Sequence, residues 1–172
     1  VEQVGYDFHP SFGASSRSYA YIIDLDEDNV DSNDAEIDSS RPRISHSLVP
    51  KLDRLLRTLE GKELDYYAMS HGKKKTQTTL CTLYHARAGI VQRMDNNDAA
   101  SSSEKRLAIC FEIVGNRFLR RMVRLLVATA LREAYRENSS DDALLHILST
   151  KDRRQRSRAA PPDGLTFIKA EF

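Results

Sequence analysis

The sequence predicts an α+β fold of ferredoxin-like order, β-α-β-β-α-β, with a mainly antiparallel sheet and helices on one face. Three observations predict it. Short runs that alternate in polarity stand near the start, in the middle and at the end of the chain, and two stretches with apolar residues at helical spacing separate them. A length of 172 residues suits one domain, 1–172, with its own core. The same order underlies RNA-recognition modules and many other small α+β domains, so order alone assigns no function.

The first strand is expected over residues 17–23, RSYAYII, where Arg17, Tyr19, Tyr21 and Ile23 share one face. An acidic stretch follows, rich in Asp, Asn and Ser and without periodicity, and reads as a disordered insert over 24–43. Asp24, Asp26 and Asp28 begin like a calcium loop, but Asn29 stands where glycine is needed and Ala35 where glutamate is needed. No metal site is expected. Leu48, Leu52, Leu55, Leu56 and Leu59 trace a helical stripe over 45–59 that ends at Gly61.

Two extended segments, 78–91 and 106–114, read as paired strands joined by the polar loop MDNNDAASSSEK. The strongest helical pattern runs from Arg117 to about Glu137, and a shorter one covers 141–148 with Ser139 or Ser140 as its cap. Residues 165–172 form the closing strand.

Composition narrows the function classes. Apolar runs are interrupted by Arg or Lys well short of a membrane span, so no membrane association is expected. Cys81 and Cys110 belong to no CxxC or Cys/His cluster and read as reduced, structural thiols. The net charge of +1 conceals an asymmetry. Between Asp24 and Asp38 lie eight acidic residues and no basic one, which leaves 26 basic against 17 acidic residues elsewhere. That balance favours a polyanionic partner. Val1 is not a natural initiator, so upstream residues are expected; the compartment is left open between cytoplasm, nucleus and an organelle.

On a helical wheel, Phe118, Leu119, Met122, Val123, Leu126, Val127, Ala130 and Ala134 share one broad arc, and Arg117, Arg120, Arg121 and Arg124 fall on another. Cations near a helix N-terminus oppose the dipole and each other. The readings open at this level are a solvated face with local salt bridges, phosphate contact, or an ion pair with a buried carboxylate.

Three blocks then become specific. GNRFLRRMVRLLVATAL, from Gly115 to Leu131, resembles the pattern "N-x-F-L-x-x-M-V-R-x-x-V-G" of TruA-type tRNA pseudouridine synthases. KDRR at 151–154 and AAPPDGLTFIKAEF at 159–172 are similar to that family's ending, a basic Asp-Arg turn followed by "A-P-x-x-G-L-x-L". DFHPSFGASSRSYAYII at 7–23 is similar to "F-H-A-R-F-x-A-x-x-R-x-Y-x-Y". A fourth block is poorer: GKELDYYAM at 61–69 stands where the family has "G-x-H-D-F-x-x-F", with Asp65 and Tyr66 as counterparts, and a threonine near Thr78 replaces an arginine.

The resemblance implies the C-terminal half of a pseudouridine synthase catalytic domain, acting on tRNA in the region of the anticodon arm. In such enzymes an aspartate attacks a flipped nucleotide, the glycosidic bond breaks, and the base rejoins through carbon. No metal or organic cofactor takes part, and family members are often homodimers. Carried over by motif, Tyr19 packs on the target base and assists proton abstraction, and Arg124 pairs with the catalytic aspartate. Leu165 lines the base pocket, and Phe8, His9 and Phe12 touch the RNA. Arg17, Asp65, Tyr66, Arg120 and Arg121 complete the expected RNA face.

Physical chemistry fits these roles. A nucleophilic carboxylate in a partly closed pocket needs a fixed guanidinium to stay ionised, and a base drawn from its stack needs an aromatic surface. The family's nucleophile lies in "R-T-D-x-G-V-H-A", and none of Asp7, Asp65 or Asp152 has that context. The chain by itself is therefore expected not to isomerise uridine. The rival readings are a non-catalytic RNA-binding or dimerisation module and a domain that binds an acidic protein through Arg117, Arg120, Arg121 and the arginines of 153–158.

Overall fold

The structure, a computed structural model, describes residues 13–25, 44–72, 78–93 and 106–172. Most of the acidic insert, the polar loop at 94–105, and Phe8, His9 and Phe12 lie outside these residues. The elements are β1 (Ser16–Asp24), α1 (Val49–Arg57), β2 (Glu63–Asp65), β3 (Leu80–Arg93), β4 (Arg106–Gly115), α2 (Met122–Tyr135), α3 (Ala143–Thr150) and β5 (Leu165–Glu171). Single 3-10 turns at His46–Leu48 and Arg153–Gln155 precede α1 and follow α3. The fold is α+β. Its five strands form one antiparallel sheet in the order β2-β3-β4-β1-β5.

Side-chain alternation decides which sheet face is buried. On β4, Ile109, Phe111 and Ile113 all point toward the helices and are 0% exposed, while Glu112 between them is exposed. Their partners across β3 include the small residues Ala86 and Ala88, opposite Ile113 and Phe111. Small side chains there leave room for α1, whose Leu52, Leu55 and Leu56 are also fully buried. Burying each such leucine stabilises the fold by roughly 1.5–3 kcal/mol. From α2, Leu125, Leu126, Val127 and Ala130 join the same core, and Leu144, Ile147 and Leu148 of α3 close it.

Past the short β2, the outer edge of β3 would expose unpaired backbone groups, a template for unwanted strand pairing. Asp53 of α1 and Glu60, just past its end, cover it with carboxylates. Ala86 N donates to Glu60 Oε1 at 2.8 Å and Ala88 N to Asp53 Oδ1 at 3.3 Å, while Arg87 Nε also donates to Glu60 at 2.8 Å.

Two expectations are corrected. Strand β2 was not foreseen; three residues with one apolar member carry no periodicity. The long helix begins at Met122, five residues later than its periodicity suggests. Asn116 extends the sheet instead of opening a helix: its N–H donates to Thr82 O at 3.1 Å and its Oδ1 accepts from Thr82 N at 2.9 Å. Arg121 then takes a left-handed conformation, φ 62°, at the N-cap. For a non-glycine residue this stores on the order of 1–3 kcal/mol of strain. Arg117, Arg120 and Arg121 thus lie in the turn before the helix, and Arg124 alone of the four is on it.

Candidate functional site

Residues two apart on a strand share a face, so β1 carries Tyr19 and Tyr21 toward the helices. The Tyr19 ring meets Phe118 edge-on, with centroids 5.0 Å apart and planes at 78°. On its other side it meets Phe167 of β5 at 5.4 Å and 65°. Phe118 stands in the turn before α2 and Phe167 lies opposite Tyr19 in the sheet register. Tyr19 is half-buried and Phe167 is exposed. Among the described residues the Tyr19 hydroxyl has no hydrogen-bond partner. The three rings form an apolar shelf with a polar tip left over.

Arg124 stands in the first turn of α2, half-buried. Its Nε donates to Ala160 O at 2.6 Å, and Ala160 N donates back to Arg124 O at 3.1 Å. This two-way clasp fixes the guanidinium through backbone alone. Among the described residues no carboxylate lies within ion-pair distance of it. Next to it, Tyr21 donates its hydroxyl proton to Pro161 O at 2.8 Å. Burial pushes the Tyr21 hydroxyl pKa up, Arg124 works against that and Asp163 adds to it; the net direction is upward.

Leu165 opens β5 directly opposite Tyr21, half-buried on the same face. The residue before it must be glycine. A Cβ on Gly164 would sit 2.5 Å from Ile22 O and 2.9 Å from Tyr21 Cζ, because Gly164 O accepts from Ile22 N at 2.9 Å. The glycine of the closing motif therefore lets β5 approach β1 closely enough to bring Leu165 and Phe167 beside the two tyrosines.

The other expected RNA contacts divide. Arg120 and Arg121 are exposed. Arg17 is half-buried and donates from Nη1 to Asn116 O at 3.1 Å. Asp65 caps a turn: Oδ1 accepts from Tyr67 N at 3.0 Å and Thr79 Oγ1 at 2.5 Å, and Oδ2 pairs with Lys151 Nζ at 3.0 Å. Burial tends to raise its pKa, but those hydrogen bonds and Lys151 outweigh burial and hold the carboxyl below its usual range. Tyr66 is 0% exposed with its hydroxyl buried and unpaired. A residue so placed packs the core.

Tyr21, Phe118, Phe167 and the Ala160 carbonyl were not singled out by sequence reasoning. Phe118 and Phe167 occupy the aromatic or apolar positions of "N-x-F-L" and "G-L-x-L", so the signal was present in motifs already recognised. Ala160 acts through its backbone, for which no side-chain signal exists.

The far end of α2 is built differently. Glu133 is nearly fully buried and accepts from Arg132 Nε at 2.8 Å and Ser139 Oγ at 2.8 Å, with Arg136 Nη1 at 3.4 Å. Burial works to raise its pKa, and these partners together hold it below the usual carboxylate range. An open hollow of about 640 Å³ lies beside this cluster, lined in part by Arg136, Ser139 and His146. Glu133 follows Arg124 by nine residues, about 14 Å along the helix.

An aromatic shelf beside a rigid guanidinium without a carboxylate, on a face rich in further arginines, is a surface suited to a polyanion with exposed rings, which is the chemistry of nucleic acid. Comparison with known proteins specifies the class. Residues 56–172 match the family model described as tRNA pseudouridine synthase, and the chain belongs to that family. It is similar to tRNA pseudouridine synthase A of Chloroflexus aurantiacus, 29% identical over 170 residues, covering 96% of this chain and 54% of the relative. Proteins of the same name from Borreliella burgdorferi and a Geobacillus strain are 29% and 27% identical, each covering 100% of this chain and 62% of the relative. The TruA-type resemblance is borne out. The chain spans somewhat over half the length of the curated relatives it matches. Among the described residues no helix is long and apolar enough to cross a membrane.

Proposed function

We propose that this chain is one half of the catalytic domain of a synthase that isomerises uridine to pseudouridine in tRNA, in or near the anticodon arm. The observation that carries this reading is Arg124: half-buried, clasped by Ala160, and lacking a carboxylate among the described residues. A partly buried guanidinium is costly unless an anion satisfies it, and a nucleophilic aspartate from the rest of the enzyme is the partner the family motif implies.

Tyr19 would receive the extruded base against its ring, flanked by Phe118 and Phe167, with its hydroxyl available to the proton transfer that follows carbon-carbon bond formation. Leu165 would close the apolar side of that pocket. The strand order β3-β4-β1-β5, with α1 and α2 connecting them, supports a ferredoxin-like half-domain. A homodimer is the further expectation from the resemblance. The decisive experiment is pseudouridine formation on tRNA by the full-length protein and its Arg124→Ala variant. Turnover that survives the substitution would remove Arg124 from the mechanism.

A further inference from the structure

Beside the Arg124 clasp, a second group of cations converges that the chemistry above does not use. It is built from three segments: the turn 66–72 after β2, the residues Arg120 and Arg121 before α2, and the 3-10 turn that ends in Gln155, with Arg156 next to it. Arg153 stacks over the Tyr67 ring at 4.3 Å, donates from Nη1 to Gly72 O at 2.7 Å and from Nη2 to Ser70 Oγ at 2.7 Å. Arg156 donates from Nη2 to Ser70 O at 3.3 Å and from Nη1 to Ser157 O at 3.2 Å. His71 N donates to Arg120 O at 3.2 Å, and Arg121 Nη1 lies 3.4 Å from His71 Nε2.

Every fixed partner of these side chains is a carbonyl, a hydroxyl, a ring or another base. Among the described residues none of Arg120, Arg121, Arg153 or Arg156 has a carboxylate within ion-pair distance. Among the described residues Arg156 Nε is buried with no hydrogen-bond partner. Arg121 is held in its left-handed conformation at the same place. The charges are close enough to register on one another: Arg121 above all, with burial and Arg120, Arg156 and Arg153, pushes the His71 pKa down. Burial and then Arg153 do the same to Arg156.

Four guanidiniums without a counter-charge repel, and an unpaired buried donor costs on the order of 1–3 kcal/mol. An anion with several acceptor oxygens would relieve both. Phosphate matches the planar guanidinium fork in geometry and charge. Arg121 and Arg124 are three residues apart, so the cluster borders the catalytic arginine at a rise of about 4.5 Å along the helix.

We infer that His71, Arg120, Arg121, Arg153 and Arg156 form a notch that holds a backbone phosphate of the RNA next to the target nucleotide. Arg153 and Arg156 brace the 66–72 turn, and Arg120, Arg121 and His71 complete the donor set from the exposed side. The inference rests on the proposed tRNA-modifying function for the identity of the polyanion. It differs from that proposal in assigning Arg153, Arg156 and His71 to binding.

The test is the salt dependence of tRNA binding by the full-length protein, since each phosphate contact releases counterions. Arg120→Gln and Arg121→Gln should each weaken binding several-fold at low salt and lower the steepness of log Kd against log salt by about 0.7. Arg156→Gln should do the same; because that side chain is half-buried, the exposed Arg120 and Arg121 variants keep the test valid if it folds poorly. An unchanged slope in those two overturns the notch. So does a poly-glutamate peptide of matched charge that binds more tightly than tRNA and suffers the larger loss in the variants. The slope is read from binding alone. A wild-type protein that makes pseudouridine while the variants keep its slope sinks the notch and spares the enzyme; a wild type that makes none while the slope falls does the reverse.

Discussion

The two ends of α2 solve the same electrostatic problem in opposite ways. At the C-terminal end, Arg132 and Arg136 surround the buried Glu133, and Ser139 supplies a further donor, so charge and hydrogen bonds are satisfied within the chain. Cations are also favoured there by the helix dipole. At the N-terminal end, where the dipole disfavours cations, Arg120, Arg121 and Arg124 gather with Arg153 and Arg156 and, among the described residues, find only neutral partners. One end is closed and contributes stability. The other is left electrostatically incomplete at a cost to the fold, and incompleteness of that kind is what a polyanionic ligand and an incoming carboxylate can complete. A count of arginines along α2 would not distinguish the ends; their partners do.

Five measurements bear on this contrast, beginning with the largest effect. Arg124→Ala in the full-length protein should abolish pseudouridine formation while tRNA affinity stays within about tenfold, near 1.4 kcal/mol. Arg132→Ala, at the closed end, should instead lower stability and leave turnover in the folded fraction close to wild type; equal losses of activity from both would erase the distinction. Tyr19→Phe keeps the ring against Phe118 and Phe167, so the melting temperature should hold while single-turnover chemistry slows by roughly a hundredfold or more. Unchanged kinetics would take the hydroxyl out of the reaction.

Glu133→Gln should cost about 2 kcal/mol in denaturant unfolding, because charge-assisted hydrogen bonds to Arg132 and Ser139 are weakened in a nearly closed site. The smallest expected effect is in acid. The folded pKa of Glu133 lies below its ordinary value of 4.5, so its contribution is complete above that pH and is lost as pH falls through the folded value. The Glu133→Gln protein should therefore lose less stability than wild type between neutral and acid pH. Parallel curves would place the acid sensitivity elsewhere, with Asp65 the next group to examine.

Much of the fold was legible in the chain, and particular residues show why. Alternation at Leu107, Ile109, Phe111 and Ile113 marks a strand because one sheet face is buried, and the leucine stripe ending at Gly61 marks α1 for the same reason. The start of α2 was not legible. Phe118 and Leu119 continue a helical period by coincidence, while pairing of Asn116 with Thr82 and the packing of Phe118 on Tyr19 pull the segment off the helix. Tyr19, Arg124 and Leu165 could be named from motifs because a motif records side-chain identity. Tyr66 was named from its motif position, and a pattern of residue types does not reveal that the ring points inward.

The sequence by itself determined most of the strands and helices, the basic character outside the insert, and the family, since all three follow from residue type and spacing along one dimension. Only the tertiary structure decided which charges are satisfied. Glu133 and its arginines lie within a few residues of each other and could have been paired on paper. Arg153 and Arg156 instead reach the 66–72 turn from more than 80 positions away, and Arg124 is fixed by a carbonyl 36 positions on. Ion pairing depends on distance in space and on which groups burial has removed from water, and neither quantity is written in the order of the residues.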